Sequence, residues 1–190
     1  MKLSPEGYNH IRPLFGGHLS QSQVNGIERM LKEIAAQGIA DERHAAYILA
    51  TQFHETGKTM QPVQEGERGK GRRYGQKIKR NGTPYAKPDK IYYGRGDVQI
   101  TWYDNYQYIG KLLGLDLLNN PELCLDPAIS AKIAVFGMIK GVFTGVKLST
   151  YFNKDRDDSV NARKIINGND CDMLISTYHH AFLKALEVSN

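Results

Sequence analysis

What this chain lacks narrows it first. Its 190 residues include only two cysteines, Cys124 and Cys171, far apart and in no metal-ligand spacing. Two thiols, not a disulfide framework, are therefore expected. No run of about 18 apolar residues occurs, so no transmembrane helix is expected. The opening MKLSPEGYNH holds no apolar stretch of the kind a secretory leader needs. A chain made and held in a cytoplasm is the expectation, reaching any outside target only when something else releases it. Internal repeats, low-complexity tracts and linker-like stretches are also missing, which predicts one domain over residues 1–190, monomeric by default.

What is present suits a globular fold. Hydrophobic residues at 41% supply a core that needs no staple. The formal charge of +5 suits a polyanionic partner, whether nucleic acid, membrane surface or anionic cell wall, without choosing among them.

Helical signals dominate. Ser20 and Gln23 form a capping box ahead of a helix reaching about Gln37, with Gly38 as its stop. Val24, Ile27, Leu31 and Ile34 stripe one face. Asp41 caps a second helix that ends near Gly57. From Gln61 to Gly96 glycine, proline, lysine, arginine and tyrosine take over, predicting a loop with a short hairpin at Asn81-Gly82. A loop this long inside a compact domain is usually functional or disordered, and its motif-bearing flanks point to function. Helices resume from Thr101 to Leu113, from Asp126-Pro127 to Lys140, over residues 158–166, and from Asp170 to Glu187. In the last, Leu174, Tyr178, Phe182 and Ala185 are the predicted core face. The class is mainly α with a loop-rich cleft.

In the second helix Ala45, Ile48, Leu49 and Phe53 form the predicted core stripe. Glu55 follows Ile48 by seven residues, about 20° off the same line. Its carboxyl group then projects from apolar surroundings in the last turn, beside the glycine-rich loop. Burial and the negative helix end both favour the protonated form, as a general acid requires. Fraying into solvent or pairing with an arginine is the bland alternative. His54-Glu55 resembles half of a zinc motif, but Lys58 stands where a second histidine would be, so no metal site is expected.

Glycoside hydrolysis needs a second carboxylate to activate water. Glu65 and Glu67 are the nearest downstream, each beside basic residues that favour the ionised form. The following IYYGRGDVQITWYDNYQYIG mixes aromatic faces with amides and hydroxyls, which suits a sugar cleft, although nucleic-acid stacking uses similar residues.

Four segments carry a family resemblance: QFHETG (52–57), QEGERGKGRRYG (64–75), YYGRGDVQITWYDNY (92–106) and IINGND (165–170). Together they resemble glycoside hydrolase family 19, the chitinase family, in its bacteriophage endolysin branch. The likeness runs over nearly the whole chain and leaves no room for a separate wall-binding domain. It implies Glu55 as general acid, Glu65 as general base and Thr101 as the hydroxyl holding the attacking water. Tyr93, Gln99, Asn105 and Asn167 are implied substrate contacts. It further implies a lysozyme-like, mainly α fold of two lobes around a cleft, an inverting mechanism with about 6.5–9.5 Å between the two carboxyl groups, and no metal or cofactor. The expected partner is bacterial peptidoglycan, cut by an endolysin that waits in the host cytoplasm until a holin opens the inner membrane. No nucleic-acid motif and no membrane-inserting helix accompany these segments. Chitin is the alternative substrate, and a glycan-binding protein without chemistry the alternative class.

Overall fold

The computed structural model describes residues 1–190. Seven α-helices follow one another: α1 (Pro5–Ile11), α2 (Gln21–Ala36), α3 (Glu42–Glu55), α4 (Tyr103–Leu113), α5 (Pro127–Lys140), α6 (Leu148–Tyr151) and α7 (Asp172–Glu187). Two antiparallel ribbons complete the fold. The first pairs β1 (Val63–Gln64) with β2 (Arg95–Gly96), and the second pairs β3 (Phe152–Asn153) with β4 (Arg156–Asp157). The class is mainly α, as the periodicity predicts, and no helix is long and apolar enough to cross a membrane.

Local chemistry sets the boundaries. Ser20 and Gln23 close the capping box of α2 in both directions, at 2.8 and 3.2 Å. The Asp41 and Asp126 carboxylates accept from first-turn amides of α3 and α5. Gly114 and Gly141 take the left-handed conformation that ends α4 and α5. Helix α1 escapes the sequence reading because seven residues are too few to show a period, although Ser4 caps it and Pro5 opens it. The predicted helix over 158–166 is instead a 3-10 turn, Asn161–Ile165, started by the Asp158 carboxylate accepting from the Asn161 amide.

Burial corrects two predicted faces. Every residue of α3 from Ala45 to Phe53 is buried, not a stripe, so α3 is the central helix and packs against α2, α5 and α7. In α7 the buried line is Ile175, His179, Phe182 and Leu186, while the predicted Leu174 is 45% exposed. The adjacent apolar pair Leu174-Ile175 allows either register, and packing against α3 selects Ile175. Tyr178 still meets the core edge-on, 4.7 Å from Phe53. Both cysteines are free thiols; burial pushes that of Cys124 up to about 12.

A buried polar network ties these elements together. The Asp97 carboxylate is fully buried and accepts two bonds from Arg29 of α2, at 2.7 and 3.0 Å. It accepts a third from the Gln52 amide of α3 at 2.8 Å, and its own backbone N–H donates to Ser130 Oγ of α5 at 2.7 Å. Arg29 and Gln52 both also donate to the Met60 carbonyl. That carbonyl lies so close to α2 that a Cβ on Gly26 would sit 1.9 Å from its oxygen, so only glycine fits there.

Two measurements test this core. Replacing Asp97 by Ala strips Arg29 of its buried partner, and a loss of about 3–5 kcal/mol is expected in urea unfolding; a loss near zero would show that the network is not structural. Burial holds the His179 imidazole neutral, lowering its pKa to about 3 against 6.5 in the unfolded chain. The unfolded state then binds the extra proton between those values, so the stability held above pH 6.5 is lost as pH falls toward 3. Tm of wild type should drop more steeply over that window than Tm of His179→Phe, and parallel curves would refute the assignment.

Candidate active site

The end of α3 places Glu55 at a cleft of about 370 Å³. Five residues singled out in the sequence line that cleft: Glu55, Gln99, Thr101, Asn105 and Asn167. They come from α3, the strand-turn segment before α4, the first turns of α4, and the loop after the 3-10 turn. Tyr74, Arg80, Trp102 and Phe143 join them in the wall.

Glu55 does not meet the apolar surroundings predicted for it. Its side chain is 15% exposed, and Oε1 accepts from Arg163 Nη1 at 2.7 Å, with Arg163 itself only 3% exposed. Glu55 lies just beyond the fully buried stretch of α3, where the 3-10 turn brings the guanidinium against it. Arg163 is held from behind by donating Nε to the Asp170 carbonyl at 2.8 Å. The sequence reading passes over Arg163; its one signal is a cation set just ahead of the apolar Ile165-Ile166 pair of the IINGND segment.

Glu65 stands one layer back from the cleft. Its Oε1 accepts from the Tyr74 hydroxyl at 2.8 Å, and its Oε2 from the Gly94 amide at 3.2 Å. The pairing of β1 with β2 and a Glu65 N–H bond to the Gly94 carbonyl fix the backbone there. Burial, and then the Glu65 carboxylate, push the Tyr74 phenol up to about 12, so it remains a donor at neutral pH. Glu67 is exposed and its carboxylate makes no hydrogen bond or ion pair. Of the two loop carboxylates, Glu65 is the one held in place.

Backbone strain shapes the floor. Gln99 and Trp102 adopt φ of +49° and +72°, a region that costs side-chain-bearing residues of order 1 kcal/mol or more each. Gln99 is kept there by donating its amide to the Val63 and Gly96 carbonyls at 2.8 and 3.0 Å. Gly94 makes room for this, because a Cβ on it would fall 2.7 Å from Gln99 Oε1. Tyr93 is not among the lining residues. It is buried, its ring covers the Arg95 guanidinium at 3.6 Å, and its hydroxyl donates to Gln64 at 3.3 Å. Its place is structural support behind the cleft wall, since the alternation of the β2 segment turns its neighbour Gly94, not Tyr93, toward Glu65. No three His, Cys, Asp or Glu side chains converge into a group that would hold a metal.

The fold is thus a helical body around a cleft lined by carboxylate, amide, hydroxyl and aromatic groups. The family model described as chitinase class I matches residues 31–143, and the chain belongs to that family, glycoside hydrolase family 19. Among solved structures, chitinase C from Streptomyces griseus is similar in fold at a TM-score of 0.66, 23% identity, 97% of this chain and 76% of that one. A class IV chitinase from Zea mays aligns at 0.60, 18% identity, 94% of this chain and 91% of that one. Endochitinase 1 of Theobroma cacao is 36% identical over 99 residues, 47% of this chain and 30% of that protein. An inactive chitinase-like protein of Hevea brasiliensis is 54% identical over 50 residues, 26% of this chain and 16% of that protein. The chain spans about a third or less of the length of the Theobroma and Hevea proteins.

Removing Arg163 by substitution to Ala leaves the partly buried Glu55 carboxylate alone, and a loss of about 3 kcal/mol is expected in urea unfolding. A change below about 0.5 kcal/mol, the scale of an exposed pair, would mean that the pair is not held as described.

Proposed function

We propose that this chain hydrolyses the β-1,4 bonds of N-acetylglucosamine polymers, as a chitinase does, by a single displacement that inverts the anomeric carbon. The observation that carries the reading is the convergence of Glu55, Gln99, Thr101, Asn105 and Asn167 on one cleft beside the Glu65–Tyr74 pair. Membership of the family and the name endochitinase borne by its relatives support the substrate class.

In this scheme Arg163 holds Oε1 of Glu55, leaving Oε2 to carry the proton and pass it to the leaving glycosidic oxygen. Glu65 takes the proton of the attacking water on the opposite face of the sugar. Each of its oxygens already accepts one bond, and a carboxylate oxygen has a second lone pair free for that water. The Thr101 hydroxyl orients the same water. Gln99 Oε1 and the side-chain amides of Asn105 and Asn167 bond the acetamido and hydroxyl groups of the glycan, and Trp102 offers an aromatic face. The scheme needs neither metal nor cofactor.

A second reading takes peptidoglycan as the glycan. Its N-acetylmuramic units and peptides carry carboxylates, and the charge of +5 favours such a partner. On that reading the chain is a monomeric muramidase-type endolysin that a holin releases from the host cytoplasm. The likeness to an inactive relative favours a third reading, a glycan-binding protein without chemistry.

Digestion of glycol chitin and of purified peptidoglycan, with products read by mass spectrometry and their anomers by NMR, tests all three. Cleavage of glycol chitin to α-anomeric ends, with kcat falling about 10²–10⁴-fold in Glu55→Gln, is the expected result. New ends from peptidoglycan alone would move the substrate to the cell wall. Undiminished rates in Glu55→Gln would refute the acid assignment, and no cleavage of either polymer by folded wild type would leave the binding reading.

A further inference from the structure

The positive charge of the chain is not spread over it. Residues 64–90 hold nine of the 25 lysines and arginines but three of the 20 acids, a net +6, which leaves −1 for everything else. This segment is the excursion that leaves β1 and returns just before β2. Its acids do little to neutralise it. Asp89 pairs with Lys77, Glu65 is turned to Tyr74 and Gly94, and only exposed Glu67 remains. Arg68, Lys70, Arg72, Arg73, Arg80 and Lys87 are all exposed and in no ion pair.

The excursion is also fixed against the cleft. The Arg80 amide donates to the Asp104 carboxylate of α4 at 2.7 Å, and Lys79 lies over the Tyr103 ring at 5.1 Å. A small ladder, Ile78 facing Pro84, holds the tip. Two of its residues, Tyr74 and Arg80, form part of the cleft wall. A polymer lying in the cleft therefore passes a dense cationic surface that continues from the site itself.

We propose that residues 64–90 form a docking surface for the anionic groups of a carboxylate-bearing glycan whose backbone occupies the cleft. The proposal rests on the glycan-cleaving reading and goes beyond it: the uncharged polymer uses the cleft alone, and the same backbone bearing carboxylates gains this surface as well. Continuity with a sugar-type cleft, rather than with a groove of duplex dimensions, favours a glycan over nucleic acid. Unpaired cations beside a cleft raise the local concentration of an anionic polymer, and salt screens the effect within about 10 Å at 0.1 M.

The test uses two soluble polymers with one backbone, carboxymethyl chitin (anionic) and glycol chitin (uncharged). It compares two triple variants of equal net charge. Arg72→Gln, Arg73→Gln and Lys87→Gln remove charge from the surface; Lys132→Gln, Lys140→Gln and Lys154→Gln remove it elsewhere. At low salt KM for carboxymethyl chitin should rise about tenfold or more in the first variant, with kcat, and KM for glycol chitin, unchanged. The second variant should match wild type, and the difference should close in high salt. Equal effects of the two variants would reduce the surface to net charge, and no effect of either would overturn it. If wild type cleaves neither polymer, the glycan-cleaving reading fails separately. Salt-sensitive retention on immobilised carboxymethyl chitin, lost only in the first variant, would then still support the surface, and absent retention would overturn it. Displacement from that support by duplex DNA at lower charge concentration than by free carboxymethyl chitin would make it a nucleic-acid surface instead.

Discussion

The structure depends on one buried charge. Asp97 has no access to solvent, so the hydrogen bonds its carboxylate would make to water are supplied instead by Arg29 and Gln52, from two different helices. Those helices are α2 and α3, and the backbone of Asp97 is held in turn by Ser130 of α5. Asp97 is two residues before Gln99 and Gln52 is three before Glu55. One polar cluster thereby sets the spacing between the two sides of the cleft. An apolar core could fill the same volume, but dispersion contacts are non-directional and would not fix the register of the strained segment from Gln99 to Trp102.

The two loop and helix carboxylates are supported in different ways. Glu55 ends a helix buried on every side and is clamped by a guanidinium that is itself buried. Glu65 directly follows the two-residue strand β1 and depends on a phenol and one backbone amide from neighbouring loops. Segments with few buried contacts open locally at lower free energy than core helices. The Glu55 side of the cleft is thus the rigid reference, and the Glu65 side is the one with freedom to adjust.

Much of this was legible in the chain because it is written in short-range chemistry. Caps at Ser20, Asp41 and Asp126 and glycines at 114 and 141 act on their own helix ends, so the helices they bound appear nearly as expected. The grouping of Glu55, Gln99, Thr101, Asn105 and Asn167 came from motif order, which no periodicity argument supplies. What stayed hidden is long-range. The Glu55–Arg163 pair joins residues 108 apart, and the choice of Ile175 over Leu174 is made by the surface of α3. The resemblance implies Tyr93 as a substrate contact, whereas the fold lays its ring over Arg95, a pairing that no motif announces. Tyr74 carried no distinguishing mark until the fold set its hydroxyl against Glu65.

The antiparallel pairing of Gln64 with Arg95 has a consequence for how this scaffold can vary. It closes the neck of a thirty-residue excursion, which beyond that neck is anchored mainly by Tyr74, Arg80 and Tyr85 and otherwise runs over the surface. For a loop whose ends are already joined, doubling its length costs only about 0.6 kcal/mol of closure entropy. Insertions and deletions at the exposed turns between those anchors are thermodynamically mild, whereas a single added methyl at Gly26 or Gly94 meets backbone or side chain at once. Diversity in what the cleft accepts can therefore accumulate by changes of length on one rim, while the helical body tolerates hardly any change of volume.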